Sequence, residues 1–225
     1  MRTIIYCVCA AIALLQTGCA GGAGKPRIIA DLYVRYLADV AELKAQASFY
    51  EGDSLQTALP KTMAGGVTFQ QSAMEAKILQ GEVVRYSLQR RGNFNPPFQF
   101  GYTDGEGVKG EYTLAMNPID SFSFRGEASR SKGATLLFYG APLGEGESLV
   151  ILVSDVNNQA ATLEISGPKS TNDLFIPASN LSSLQPGPGT VYLVRNTAKM
   201  EDTPGRYIIA VGEYYTDVVR FELAE

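Results

Sequence analysis

The 225-residue sequence contains no histidine and no tryptophan, and its three cysteines, Cys7, Cys9 and Cys19, all lie within the first 19 residues. Without imidazole, Ser-His-Asp and Cys-His nucleophilic sites, His-ligated zinc and imidazole acid–base chemistry are excluded. Without a thiol beyond residue 19, the rest of the chain has neither a disulfide framework nor a thiolate metal site, and its stability must come from ordinary core burial. An enzyme built from this chain would rely on carboxylates, lysine or tyrosine. No basic run is longer than Arg90-Arg91, and the formal charge is −4, so neither nucleic acid nor anionic lipid head groups are natural partners.

What is present begins at the N-terminus. Arg2 gives a positive start, residues 4–15 are apolar, and Leu14-Leu15-Gln16-Thr17-Gly18-Cys19 ends that stretch with small residues before a cysteine. This segment resembles a bacterial lipoprotein signal. The position three before the cysteine, most often Leu in such motifs, is Gln16, with Leu15 one place upstream. The alternatives are a plain secretory signal cut near Gly18 or Ala20, or an uncleaved anchor helix, for which the apolar stretch is short against the ~20 residues of a span. The resemblance implies cleavage after residue 18, lipidation of Cys19 by several acyl chains and stable membrane attachment. Removal of residues 1–18 takes away Arg2 and leaves 18 Lys plus Arg against 23 Asp plus Glu, a formal balance of −5.

Residues 19–26, rich in Gly and Ala, read as a flexible tether reaching roughly 15 Å. Position 20 is Ala and no acidic cluster follows Cys19. By resemblance to lipoprotein sorting, this implies the outer membrane, with a periplasm-facing orientation preferred over surface exposure.

The remaining ~200 residues can hold one large core or two ordinary ones. With 23 Gly, 11 Pro, 12 Tyr and 10 Phe and no long amphipathic period, they read as all-β. Strands are predicted at 134–139, 148–154, 160–166, 173–176, 190–196, 206–211 and 214–223, punctuated by Asn157-Asn158, Gly167-Pro168, the run Pro186-Gly187-Pro188-Gly189, and Pro204-Gly205. Asn157-Asn158 is expected to close a two-residue hairpin. The first half gives strands at 28–37, 42–50, 67–70, 76–79, 83–88, 98–102 and 110–116. Residues 38–47 have helix propensity, but Leu43, Ala45, Ala47 and Phe49 alternate with polar residues, which favours strand from Leu43 onward.

Seven runs in each half fit two tandem immunoglobulin-like β-sandwich domains, 27–120 and 121–225, with a boundary near Asn117-Pro118-Ile119-Asp120. An offset of about 106 residues aligns Tyr33 with Tyr139, Leu43 with Leu149 and Phe69 with Phe175, which makes a diverged duplication one possible origin.

Motif matches fail on context. Gly105-Glu106-Gly107-Val108-Lys109-Gly110 has G-x-G-x-x-G spacing but leads into an alternating strand, so no helix end would face a pyrophosphate. Ser129-Arg130-Ser131-Lys132 matches S-x-x-K without its companion motifs. Asp155, Asn157 and Asn158 are loosely like a calcium loop but lack its Gly and final Glu, and read as a solvated hairpin tip. The carboxylate pairs Asp104/Glu106, Glu145/Glu147 and Glu201/Asp202 sit beside Gly or Pro and read as solvated loop charge, although two such groups could serve glycoside hydrolysis. No catalytic, metal or cofactor site is therefore assigned.

One connection reads as a recognition surface: Arg90, Arg91, Asn93 and Phe94, in a loop stiffened by Pro96-Pro97. The alternative is that Phe94 caps a core. In Tyr214-Tyr215, one ring must face outward if both lie on a strand. The expected function is a non-catalytic, lipid-anchored envelope protein serving as a binding or assembly module for another envelope protein. The alternative is a glycan-binding accessory lipoprotein or a carboxylate-based glycan hydrolase, against which the lack of Trp counts.

Overall fold

The computed structural model describes residues 27–225. The segment 1–18, the tether 19–26 and the lipidation site Cys19 lie outside the described residues.

The described chain is nearly all β, with sandwich-like sheets. Its strands are β1 (Arg27–Leu37), β2 (Glu42–Gly52), β3 (Leu59–Pro60), β4 (Val67–Phe69), β5 (Ser72–Ala73), β6 (Glu75–Ile78), β7 (Val84–Arg91), β8 (Phe98–Thr103) and β9 (Lys109–Leu114). Then follow β10 (Ser121–Phe124), β11 (Ala128–Ser129), β12 (Ala134–Tyr139), β13 (Glu147–Ser154), β14 (Ala160–Ser166), β15 (Asp173–Ile176), β16 (Gly187–Thr203), β17 (Arg206–Tyr215) and β18 (Val219–Ala224). One short helix, α1 (Ala178–Leu181), lies between β15 and β16, and among the described residues no helix is long and apolar enough to cross a membrane.

Period-two alternation accounts for the long strands. In β2, Leu43, Ala45, Ala47 and Phe49 are buried; they face a partner sheet in the order β5-β4-β8-β9, which supplies Phe69, Phe98, Phe100 and Leu114. Helix propensity at 38–41 produces only a turn. In the other half, Leu149, Ile151 and Val153 of β13 are buried on the same core as Leu136 and Phe138 of β12, which belongs to a sheet ordered β10-β12-β15.

Sheet membership does not follow the boundary drawn near residue 120. One eleven-stranded sheet runs through both halves, and β1 pairs in parallel with β17, with Tyr33 opposite Val211 and Arg35 opposite Glu213. The 17-residue β16 makes this possible. It pairs with β18 over Gly187–Val191 and with β17 over Val194–Thr203, while β13 lies along its other side. The single strand expected at 214–223 is interrupted between β17 and β18. There the Thr216 hydroxyl accepts the Leu193 N–H, and the Leu193 carbonyl accepts the Thr216 N–H. Met116, just before the presumed boundary, fills the space that Gly212 of β17 leaves by having no side chain.

The duplication register fails on pairing and burial. β1 pairs with β2, whereas β12 and β13 lie in different sheets; Phe69 is fully buried, whereas Phe175 is 59% exposed. Sequence reading missed β3, β5, β10 and β11, each four residues or fewer and too short to show a period.

Candidate functional site

The sequence motifs resolve into structural devices. In the G-x-G-x-x-G run, the Asp104 carboxylate accepts the N–H groups of Glu106 and Val108, the Asp104 N–H reaches the Val108 carbonyl, and Gly107 takes the left-handed conformation at φ 82°. The segment from Asp155 to Gln159 repeats this turn: Asp155 accepts from Asn157 and Gln159, and Asn158 sits at φ 61°. The β13–β14 hairpin therefore closes with a three-residue loop rather than the expected two, the usual geometry when the last loop residue is left-handed. Its register is as the alternation requires, with Leu149 opposite Ile165 and Ile151 opposite Leu163.

Asp155 is not a solvated tip. It is buried and its second oxygen accepts the Gln185 N–H at 2.8 Å. That bond, opposed by desolvation and supported by the Gln159 and Asn157 N–H groups, holds its carboxyl below the usual carboxylate range. Ser129 of the S-x-x-K run is also buried; its hydroxyl donates to the Glu225 carbonyl at 2.6 Å and accepts the Ser131 and Lys132 N–H groups. These bonds hold the last strand against β11.

Of the carboxylate pairs, Glu201 and Asp202 are bound by Arg206 and Arg27. Glu147 departs furthest from expectation, because it is buried. Its Oε2 meets the fully buried Arg195 at 2.6 Å and accepts the Gly144 N–H at 2.6 Å, while Asn117 donates to Oε1 at 3.3 Å. Arg195 also donates to the carbonyls of Ala141 and Pro142. Burial pushes the Glu147 carboxyl up, but Arg195, Gly144 and Asn117 more than offset it and hold it low. This pair lies where β16 passes from β18 to β17, at the junction of the two packed halves.

Arg90, Arg91 and Asn93 are exposed. Phe94 is partly buried, 5.2 Å from Tyr36, 5.4 Å from Phe98 and 4.9 Å from Tyr214 between ring centroids, so its ring joins the aromatic end of the core. Arg91 pairs with Glu42, which pairs with Leu37, which pairs with Tyr215. Arg91 thus ends a row across the solvent-facing side of the large sheet. In Tyr214-Tyr215, Tyr214 stacks on Tyr36 inside and Tyr215 faces outward.

That solvent-facing side carries an arrangement that no single segment of sequence displays. Tyr33 of β1 and Tyr215 of β17 both donate to Oε2 of Glu213, at 2.5 and 3.1 Å. Desolvation, then the bond to Glu213, raises the Tyr33 hydroxyl well above the phenol range; desolvation and the nearby Glu213 charge raise Tyr215 too. Both therefore remain donors. Arg35 lies between Glu213 on one neighbouring strand and Lys44 on the other. Its Nε is buried without a partner, and neither Arg35 nor Lys44 forms an ion pair among the described residues. Val194, opposite Tyr215, is only 5% exposed. The side-chain layer on this face is thus ordered and dense. The outward-facing Tyr33, Arg35, Glu213 and Tyr215 are visible in the alternation of two strands, but their meeting depends on a parallel pairing that local sequence does not encode.

Among the described residues, no group of three or more Asp, Glu, Cys or His is placed to hold a metal ion. No protein-family model and no curated protein matches the chain. Among solved structures, it is similar to a tetra-tandem repeat in the extending region of a large adhesion protein, with a TM-score of 0.31 and 13% identity, over 85% of this chain and 50% of that one. It is also similar to dimeric latent PorU from Porphyromonas gingivalis, with a TM-score of 0.32 and 10% identity, over 91% of this chain and 21% of that one. The chain thus spans half of the first structure and about a fifth of the second.

Proposed function

We propose that this chain is a non-catalytic lipoprotein of the bacterial outer membrane, anchored through Cys19 and facing the periplasm, whose two immunoglobulin-like sandwiches form a binding or assembly module for another envelope protein. The observation that carries this reading is the ordered, half-buried Tyr33–Glu213–Tyr215 array beside Arg35 on the solvent-facing side of the large sheet. Tyrosine and arginine dominate the energetics of protein interfaces, and rings already fixed by hydrogen bonds lose little further entropy on binding. Arg91 lies on the rim of this face, and Arg90 and Asn93 are exposed on the adjoining strand end and loop. Carboxylates that could have served hydrolysis are engaged elsewhere, in turns and in the Glu147–Arg195 pair.

A photo-crosslinking residue at position 215, introduced in the native cell, tests the reading. A discrete adduct with one envelope protein is expected, absent when the crosslinker replaces exposed Lys132. Equal, diffuse labelling at both positions would refute it. In parallel, Cys19→Ser is expected to leave an unlipidated protein outside the membrane fraction; wild-type fractionation and mobility would overturn the anchor. The second reading, glycan binding, is favoured by Tyr33 and Tyr215 beside hydrogen-bonding side chains, and predicts retention on envelope polysaccharide without a protein adduct.

A further inference from the structure

The seven-residue β14 ends the branch that leaves β16 through β13, and it has no strand on its outer side. The phase of its backbone is fixed at both ends of the β13 pairing: the Gly167 N–H donates to the Glu147 carbonyl, and the Asp155 N–H to the Gln159 carbonyl. Bonded residues alternate along an antiparallel pair, so Ala161, Leu163 and Ile165 bond β13. The N–H and C=O groups of Ala160, Thr162, Glu164 and Ser166 point to the open side, where none has a partner among the described residues. Exposed sheet edges are ordinarily blunted by charge, proline or brevity. β9, the next longest strand at a sheet edge, carries Lys109 and Glu111, and its Glu111 carbonyl accepts Arg206. β14 has Glu164 as its single charge and no proline. Its core-side residues Ala161, Leu163 and Ile165 are only partly buried. The short α1 meets β14 on that core side, where Leu181 lines a crevice with Ala161 and Leu163, and no hydrogen bond among the described residues joins the two elements.

We propose that β14 pairs with β14 of a second copy of this chain across a two-fold axis, antiparallel and centred on Leu163. Identical strands related by such an axis present the same patch to each other. The free backbone groups and the position of Glu164 select the register. Centred on Leu163, Ala160 faces Ser166 and Thr162 faces Glu164, so every free group is paired and no like charges are directly opposed. Centring on Glu164 would set two carboxylates directly opposite each other. Centring on Thr162 would set Ser166 against Asn158, whose left-handed φ of 61° lies in the turn before the strand. In the Leu163 register Ala161 faces Ile165 and Leu163 faces Leu163, so the partly buried apolar residues of both copies form one stripe. The two Glu164 carboxylates stand on a diagonal, about 7–8 Å apart at Cα and screened by salt. This goes beyond the binding-module reading and stands on a different strand.

Disulfide trapping of the full chain in the native cell tests the register, with the wild type, whose three cysteines lie within the first 19 residues, as background. Leu163→Cys places two thiols in a non-hydrogen-bonded pair with Cα atoms about 4.5 Å apart, inside the disulfide range. Ala161→Cys places them four residues apart along the pair, about 13 Å, outside it. A reducible band at twice the monomer mass is expected from Leu163→Cys and not from Ala161→Cys or the wild type. Thr162 and Glu164 are exposed, so a second probe leaves the core intact. Copies carrying Thr162→Cys co-expressed with copies carrying Glu164→Cys should crosslink more strongly than either variant alone, and this holds as a test if Leu163→Cys does not fold. Adding Thr162→Glu to Leu163→Cys sets carboxylates directly opposite one another twice and should cut the crosslink about tenfold, whereas Thr162→Lys should raise it.

Absence of a dimer band from both Leu163→Cys and the mixed pair overturns the proposal, as do equal bands from Leu163→Cys and Ala161→Cys. An adduct of Leu163→Cys at another mass also overturns it and gives the edge to a foreign strand. The crosslink at position 215 reports on a different strand, so the two readings fail separately.

Discussion

Replacing Glu147 by Gln keeps the shape of the side chain but removes its charge, leaving Arg195 as a charged group with no exposed side-chain surface. Breaking a buried pair in this way costs about 3–5 kcal/mol, because the surviving charge is desolvated without compensation. Arg195 retains the Ala141 and Pro142 carbonyls at 2.7 and 2.9 Å, which places the expected loss near the lower end, about 3 kcal/mol. For a folded region of this size that corresponds to a drop in Tm of about 6–12 °C. Since the chain has no tryptophan, urea and thermal unfolding are best followed by far-UV dichroism together with tyrosine emission. The double variant Glu147→Leu with Arg195→Met removes both charges but takes their partners from the Gly144 N–H and from the Ala141 and Pro142 carbonyls, at about 1–3 kcal/mol for a group left buried. Set against the single variants Glu147→Leu and Arg195→Met, it should cost less than their sum, with a coupling energy of about 2–3 kcal/mol. A Glu147→Gln protein within 1 kcal/mol of wild type, by either probe, would refute the reasoning.

Phe94→Ala is expected to cost about 2–4 kcal/mol in urea melts, below the fully buried range because the ring is partly exposed, whereas Arg91→Ala should stay within about 0.5 kcal/mol. On the acid side, Glu147 and Asp155 have lower pKa values folded than unfolded, so the stability they confer is present above the ordinary carboxylate values of 4.5 and 3.8. It is lost as pH falls through the folded values, because the unfolded chain takes up protons first. On the alkaline side, Tyr33, Tyr102, Tyr112, Tyr214 and Tyr215 have raised values, so stability should fall above pH 10.0, where the unfolded chain ionises first. Flat stability from pH 3 to 11 would contradict both signs. A fragment of residues 27–120 should lack a cooperative melt, because β1 loses β17 and Met116 loses its seat on Gly212; a sharp transition would show that the first half folds by itself.

The strands were legible where alternation is local. β12, β14 and β15 have the bounds that their apolar periodicity predicts, and β2 buries Leu43, Ala45, Ala47 and Phe49 as its alternation requires. What escaped local reading depends on distant partners. Glu147 sits among Gly144, Glu145 and Gly146, a composition that looks solvated, and its partner lies 48 positions away. A signal was nevertheless present: Arg195 follows Val191 and Leu193 at the core-facing phase of an apolar strand, where a lone cation needs a buried counterpart. The Tyr33–Glu213–Tyr215 array was less legible still. Alternation marks Tyr33, Arg35, Glu213 and Tyr215 as outward-facing, but no local rule says that the first strand lies beside the penultimate one. Phe94 shows the opposite error: Gly, Asn and Pro around it suggest an exposed loop, while Tyr36 and Tyr214 from distant segments, with the nearby Phe98, close over it.

The parallel union of β1 with β17 also sets an order of events during synthesis. Tyr33 and Glu213 are 180 positions apart, so a chain emerging amino end first presents β1 with one bare backbone edge until β17 has followed. Closing so long a loop is slow compared with forming the β1–β2 hairpin. The hairpin stands ready as a template, and β17 is the cognate strand that must reach it before any foreign strand does. The sheet that holds β1 is thus finished only by β17, and keeping the incomplete chain away from foreign strands until then becomes a requirement written into its topology.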